Sequence, residues 1–329
     1  MSARLLVVAP NWIGDALMAQ PLLARLRERR PAPRVEVLAA PWVAPLARRM
    51  AEVDEVIEAD LRHGALQLGA RWRLARRLRA RAYSEAFVLP NSWKSALVPF
   101  MAGIPVRTGY LGEARFGLLT ARRVDPGPDT PMTAHYLRLA GGPGESASLP
   151  SPTSLRSDPD AIGRAKAKFG IQGSYAVLCP GAEYGPAKRW PYFAELAPRL
   201  RHQVVLLGSV RDAEACAGVP GVNLAGRTTL EEAIDLLAGA ELVVSNDSGL
   251  MHVAAALGRP LVALFGSSSP ERTPPRSARA RILWLRPECS PCFARVCPLG
   301  HFRCMRELGV EQVFSAVRET GTDRVFAEK

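Results

Sequence analysis

The sequence predicts an α/β protein of two Rossmann-like domains facing across a cleft. Three observations carry this. Short β-branched runs alternate with helical stretches, as parallel βαβ units require. The alternation stops over Asp125–Ser157 and then restarts. At 329 residues the chain exceeds one ordinary domain and suits two of about 150 residues each.

The first array opens with the apolar strand Leu5–Ala9 and a helix over Asp15–Arg29. Strand Val35–Ala39, helix Pro45–Ala51 and strand Val53–Ile57 follow. An Arg-rich helix spans about Leu66–Ala82, and Glu85–Leu89 is the next strand. Six prolines between Pro126 and Pro152, interleaved with Gly127, Gly141, Gly142 and Gly144, disfavour continuous structure there, although Thr133–Ala140 suits a short helix. The second array reads as strand Tyr175–Cys179, helix Pro191–Leu200, strands Gln203–Leu207 and Val222–Leu224, and helix Leu230–Ala238. Strand Leu242–Ser245, helix Ser248–Leu257 and strand Leu261–Phe265 complete it. Val310, Val313, Phe314 and Val317 form one stripe of a final helix, which can pack back on the first domain. The expected domains are residues 1–157 and 158–309, with a tail helix within 310–329.

Composition narrows the function classes. An apolar fraction of 48% with 22% charged residues is that of a globular chain, not a disordered one. No apolar run reaches the roughly 18 residues of a membrane span, and Leu5–Ala9 is too short for a signal-peptide core, so the expectation is a cytoplasmic protein. The net charge is +12, and residues 1–150 hold 21 basic against 13 acidic residues, most of the surplus. A basic surface favours an anionic partner, although arginine-rich genomes give the same excess. Nucleic acid is not the expected partner, because aromatic RNP and helix-turn-helix signatures are missing. Walker, HExxH and GxSxG motifs are absent as well.

Three loops follow strands, where open α/β sheets bind ligands. In Pro10-Asn11-Trp12-Ile13-Gly14-Asp15, Asp15 is either a helix N-cap or a base placed to take a hydroxyl proton. Pro180 through Trp190 contains Ala182, Glu183 and two glycines for close backbone approach, with Lys188 and Arg189 as cations. It is a surface loop or a diphosphate cradle. Val243 through His252 breaks a buried strand into a helix at Asp247-Ser248-Gly249, where free amides favour an anion. His252 lies one turn past Ser248 and is a packed histidine or a ligand contact.

These loops, with Leu89-Pro90-Asn91-Ser92-Trp93-Lys94-Ser95-Ala96 and the cysteine-rich tail, resemble the ADP-heptose–lipopolysaccharide heptosyltransferases in order along almost the whole chain. The resemblance implies a glycosyltransferase-B fold and inverting transfer of L-glycero-D-manno-heptose from ADP-heptose to the first heptose of the inner core. It implies Asp15 as general base and Lys188 with the Ser248 and Gly249 amides at the phosphates. Asp247 and His252 would hold the donor, Asp212 or Glu214 the ribose, and Thr228 or Thr229 the edge of the base. The acceptor, heptosyl-Kdo2-lipid A, would meet Arg62 and Lys94. No cofactor is implied. Rival readings are a heptosyltransferase for another core acceptor and a nucleotide-sugar epimerase of the same fold.

Arg62, Arg71, Arg73, Arg76, Arg77, Arg79 and Arg81 occur with no acidic residue between positions 61 and 84. This segment is either a solvated helix face or a patch giving peripheral contact with the anionic inner membrane at its cytoplasmic face. Cys289, Cys292, Cys297 and Cys304 have spacing comparable to a zinc knuckle. The later intervals are short and the resemblance implies no required zinc, so packed or free thiols are the expectation and zinc the alternative. Cys179 and Cys216 read as packing residues.

Overall fold

The computed structural model describes residues 3–61, 64–141 and 152–321. Arg62, expected on the acceptor side, lies outside the described residues. The chain divides into two compact units, Met1–Ser151 and Pro152–Lys329. The division falls slightly before the expected residue 157, because Leu155 N–H bonds Ala256 O at 3.0 Å and ties this segment to the second unit.

The first unit contains β1 (Arg4–Val8), β2 (Arg34–Ala39), β3 (Glu55–Glu58), β4 (Glu85–Val88), β5 (Val106–Tyr110) and β6 (Ala121–Arg123). They form one parallel sheet of order β3-β2-β1-β4-β5-β6. The second unit contains β7 (Tyr175–Cys179), β8 (Gln203–Leu206), β9 (Val222–Asn223), β10 (Leu242–Asn246), β11 (Leu261–Phe265) and β12 (Ala280–Trp284). Its parallel sheet runs β12-β11-β10-β7-β8-β9, the same Rossmann order read from the opposite edge. Strand order reverses between β1 and β4, and again between β7 and β10. Each reversal leaves a crevice at the strands' carboxyl ends.

Strands β7, β10 and β11 are buried at every residue, which is why they read as unbroken apolar runs. Proline explains most departures from the expected helices. The first helix is two, Ile13–Met18 and Gln20–Arg27. Pro21 lacks the N–H that a continuous helix would use and sits in the first turn of the second. Pro191–Leu200 shortens to Phe193–Leu196 and a 3-10 turn, Ala197–Arg199, holding Pro198. The short helix of the Pro/Gly-rich passage forms as Met132–Leu137. Val310–Glu319 forms as expected, but Val313, Ala316 and Val317 are buried in one core with Leu196 and Leu264. This helix is therefore an integral part of the second unit rather than a separate tail.

A buried carboxylate pins the first sheet. Glu36 on β2 is fully buried and accepts bonds from Tyr83 OH at 2.5 Å, Arg81 Nη1 at 2.6 Å and Arg34 Nε at 2.9 Å. Burial alone would raise its pKa, but these donors together outweigh it and hold the carboxyl below the usual range. Its stabilising contribution is complete above the unfolded chain's pKa and fades as pH falls through the folded one. Glu36→Ala should cost about 3–5 kcal/mol at neutral pH. The urea midpoints of the variant and the parent should converge on acidification, and a constant gap would contradict this network.

Candidate active site

In the second unit the site is built around the tip of β10. Asn246 is fully buried and ties both ends of the loop after β7: its Nδ2 donates to Pro180 O at 2.7 Å, and its Oδ1 accepts Trp190 N–H at 3.1 Å. The loop so held places Lys188 Nζ 2.5 Å from Asp247 Oδ2, which also accepts Ser268 Oγ at 2.5 Å. Asp247 is 5% exposed, so this cation compensates a desolvated carboxylate. The ammonium also lies 4.9 Å from the centroid of the Tyr184 ring.

Ser248 is the N-cap residue of helix Gly249–Ala256, and no side chain caps that helix. The amides of its first turn are therefore open to an anion beside Lys188. His252 is buried one turn on. Burial pushes its pKa down to about 4, with the Lys188 charge acting in the same sense and Asp247 against it. It is neutral at physiological pH and offers a hydrogen bond rather than a charge.

Asp212 is buried between the loops after β7 and β8. Its Oδ2 accepts the Ser209 N–H and Oγ, each at 2.8 Å, while Oδ1 has no partner among the described residues. A Cβ on Gly181 would fall 2.1 Å from this carboxyl, so only glycine fits there. Glu214, the alternative ribose acid, is exposed on the neighbouring short helix. Thr229 caps helix Leu230–Ala238 through a reciprocal bond with Glu232, and Thr228 is half-buried just before it. Gly226 N–H bonds Gly208 O at 2.9 Å, bringing the Thr228 loop beside the Asp212 loop. Glu183 is paired with Arg211, and Ala182 is buried, so its backbone is what it presents to the loop.

In the first unit Asp15 is half-buried in the first turn of Ile13–Met18. The N-cap is Trp12, so the capping reading of Asp15 does not hold. Its charge reaches the buried Tyr136, whose pKa is raised chiefly by burial. At the carboxyl ends of β1, β2 and β4 lies a cavity of about 270 Å³, bordered by Asn11, Arg71, Ser92, Lys94, Ser95 and Glu113. Asp15 is not among its lining residues. Lys94 Nζ donates to Gly64 O at 3.2 Å. Arg71 is buried, donating to Leu66 O at 2.7 Å and Lys94 O at 2.9 Å.

Sequence reasoning missed three residues that build these loops. Ser268 fixes Asp247, and Arg115, fully buried, donates to Pro90 O at 2.7 Å and to Tyr110 O, shaping the loop after β4. Arg295 O accepts Ala187 N–H at 3.0 Å and so braces the Lys188 loop from the cysteine-rich segment. In that segment Cys289, Cys292, Cys297 and Cys304 all border one void of about 20 Å³, together with Ala187 and Ser267. Among the described residues, no three His, Cys, Asp or Glu side chains are grouped so as to hold a metal ion. Cys304 is pushed up to about 11 by burial and the neighbouring sulfurs.

Two Rossmann-type units, with an anion-receptive loop pair at the sheet reversal of one and a cavity at the sheet reversal of the other, have the architecture of a glycosyltransferase. The pattern described as glycosyltransferase family 9 (heptosyltransferase) matches residues 71–303. The chain is 45% identical to lipopolysaccharide heptosyltransferase 2 of Escherichia coli K12, covering 86% of this chain and 88% of that protein. It is 41% identical to lipooligosaccharide heptosyltransferase 2 of Haemophilus influenzae, again covering 86% and 88%. The solved E. coli ADP-heptose lps heptosyltransferase II superposes with a TM-score of 0.84, at 38% identity over 96% of this chain and 98% of that one. The chain belongs to glycosyltransferase family 9, the heptosyltransferases.

Removing the Asn246 tie frees both ends of the Lys188 loop. Asn246→Ala should cost about 2–3 kcal/mol in urea unfolding, from the loss of two buried hydrogen bonds; an unchanged midpoint would refute the tie. For His252 the folded pKa lies below the unfolded 6.5. Its contribution to stability is complete above pH 6.5 and lost as pH falls through about 4. His252→Gln should therefore lose less stability than the parent between pH 6.5 and 4, measured by urea unfolding.

Proposed function

We propose that the chain transfers L-glycero-D-manno-heptose from ADP-heptose to the first heptose of heptosyl-Kdo2-lipid A, by one inverting displacement. The observation that carries this reading is the Lys188–Asp247–Ser268 cluster beside the uncapped start of helix Gly249–Ala256. It offers fixed positive charge and free amides where a sugar diphosphate would depart. The relatives known as heptosyltransferase 2 and the solved E. coli ADP-heptose lps heptosyltransferase II support the choice of donor and acceptor.

In this mechanism Asp15 takes the proton of the acceptor hydroxyl as its oxygen attacks the anomeric carbon, and ADP leaves from the opposite face. Negative charge grows on the departing diphosphate, where Lys188 and the Ser248 and Gly249 amides are already oriented, so little reorganisation is needed. Asp247 and His252 contact the heptose. The open Oδ1 of Asp212 accepts from the ribose, and Thr228, with the Ala182–Glu183 backbone, borders the nucleotide. Charge compensation by Lys188 and the amides takes the place of a divalent cation. Arg62 and Lys94 meet the acidic acceptor, and the enzyme works at the cytoplasmic face of the inner membrane.

Turnover of ADP-heptose should be seen with heptosyl-Kdo2-lipid A and not with Kdo2-lipid A, and linkage analysis of the product should show inversion. Conversion of the donor without any acceptor would instead indicate an epimerase. Asp15→Asn should lower kcat by at least about 100-fold while leaving ADP-heptose affinity in place. Retained turnover would remove Asp15 as the base.

A further inference from the structure

The structure sorts the seven arginines of the first unit's basic segment by what each touches. Arg62 lies outside the described residues. Arg71 is buried and committed to two backbone carbonyls, and Arg81 pairs with Glu36 and Glu55. Arg73, Arg76, Arg77 and Arg79 remain on the exposed face of helix Leu68–Arg79. None of these four pairs with an acidic side chain among the described residues. A solvated helix face ordinarily interleaves acids at i+3 or i+4, and this one has none.

The same face carries apolar bulk. Leu68 is 53% and Trp72 52% exposed, and Arg76 lies over the Trp72 ring with its guanidinium carbon 4.9 Å from the centroid. Leu68, Trp72, Arg76 and Arg79 follow a spacing of four, four and three, which sets them on one stripe. The buried residues Arg71, Leu74, Ala75 and Leu78 occupy another side. Arg79 Nη2 donates to Met101 O at 2.8 Å, which joins this stripe to helix Trp93–Met101. The residue before Met101 in that helix is Phe100, 45% exposed.

Water disfavours exposed Leu, Trp and Phe, and unpaired arginines call for anions. An anionic lipid surface satisfies both at once. Its phosphates take the guanidinium groups, and its headgroup–acyl boundary takes the apolar side chains, to which arginine stems can lie parallel. No helix of the described residues is long and apolar enough to cross a membrane, so contact here is lateral. We propose that the face formed by Leu68, Trp72, Arg73, Arg76 and Arg77, with Phe100 at its edge, docks the enzyme on an anionic phospholipid bilayer. This deepens the reading above, since a lipid-borne acceptor is presented at such a surface.

The test uses the full chain with vesicles containing phosphatidylglycerol and with vesicles of phosphatidylcholine alone, in sedimentation at physiological salt. The parent should partition onto the anionic vesicles and the Trp emission should shift to the blue; Trp72→Ala should reduce that shift. Arg73→Gln with Arg77→Gln should weaken partitioning by about 25-fold, at about fivefold per cation. Its thermal melt and its turnover of detergent-dispersed acceptor should match the parent. Because partitioning is read without substrate, it stands or falls separately from the transferase assignment. Equal binding to neutral vesicles, or partitioning unchanged by the double substitution, would overturn the proposal. So would tighter retention on a single-stranded oligonucleotide than on the anionic vesicles.

Discussion

Asp247 ends β10 at 5% exposure, where an uncompensated carboxylate would cost several kcal/mol, and Lys188 is the cation that answers it. Much of the second unit's local architecture follows from keeping those two groups together. Lys188 reaches Asp247 only if the loop after β7 folds back across β10, and Asn246 enforces this by bonding the loop at Pro180 and Trp190. The fold-back in turn requires close backbone passage, which glycine alone permits. Gly181 passes against the Asp212 carboxyl, and Gly185, at a φ of 153°, passes against Arg295 O. The ion pair fixes an ammonium beside a helix start that no side chain caps, an arrangement already oriented toward an anion.

The two units share one strand order but carry different residues at their reversals. After β7 and β10 the chain presents a lysine held by Asp247 and a helix start that no side chain caps. After β1 the helix begins almost at once, and its first turn bears the acid, Asp15, where a negative charge meets the helix's partial positive end. After β4 the buried Arg115 shapes the loop that leads to Ser92 and Lys94 at the cavity. The sheet order supplies crevices at equivalent places, and the residues at the strand tips decide their chemistry.

Burial made several strands legible but not all: β5, buried at four of its five residues, was hidden by Arg107, Thr108 and Gly109 within it. Strands β1, β2, β7, β10 and β11, largely or wholly buried, appeared as apolar runs at nearly their observed limits. Strand β12 did not, because it is an edge strand with Arg281 and Ile282 exposed, and neither did the three-residue β6. Helix Trp93–Met101 was hidden by Pro99, whose cost within a helix is outweighed here by burial of Ala96, Val98 and Pro99 itself. Among the candidate residues, Asp15, Lys188 and Asp247 stood out because each follows a strand. Ser268, Arg115 and Arg295 did not, because nothing in a linear spacing marks a serine 21 residues from its carboxylate or separates one arginine from its many neighbours.

The cysteine-rich segment is best understood through what it presses on. Ser267 O accepts Phe293 N–H at 2.7 Å, Tyr184 OH donates to Phe293 O at 2.6 Å, and Ser290 Oγ donates to Gly266 O at 2.7 Å. These bonds join the segment to the loop after β11, which supplies Ser268, and to the loop after β7, which supplies Lys188. A Cβ on Gly266 would meet Met305 at 2.4 Å, so the two layers are already in contact with no slack. The four cysteines border the void at that junction. Ala187 and Ser267 border the same void and directly precede Lys188 and Ser268, so the packing of this segment seats both donors to Asp247.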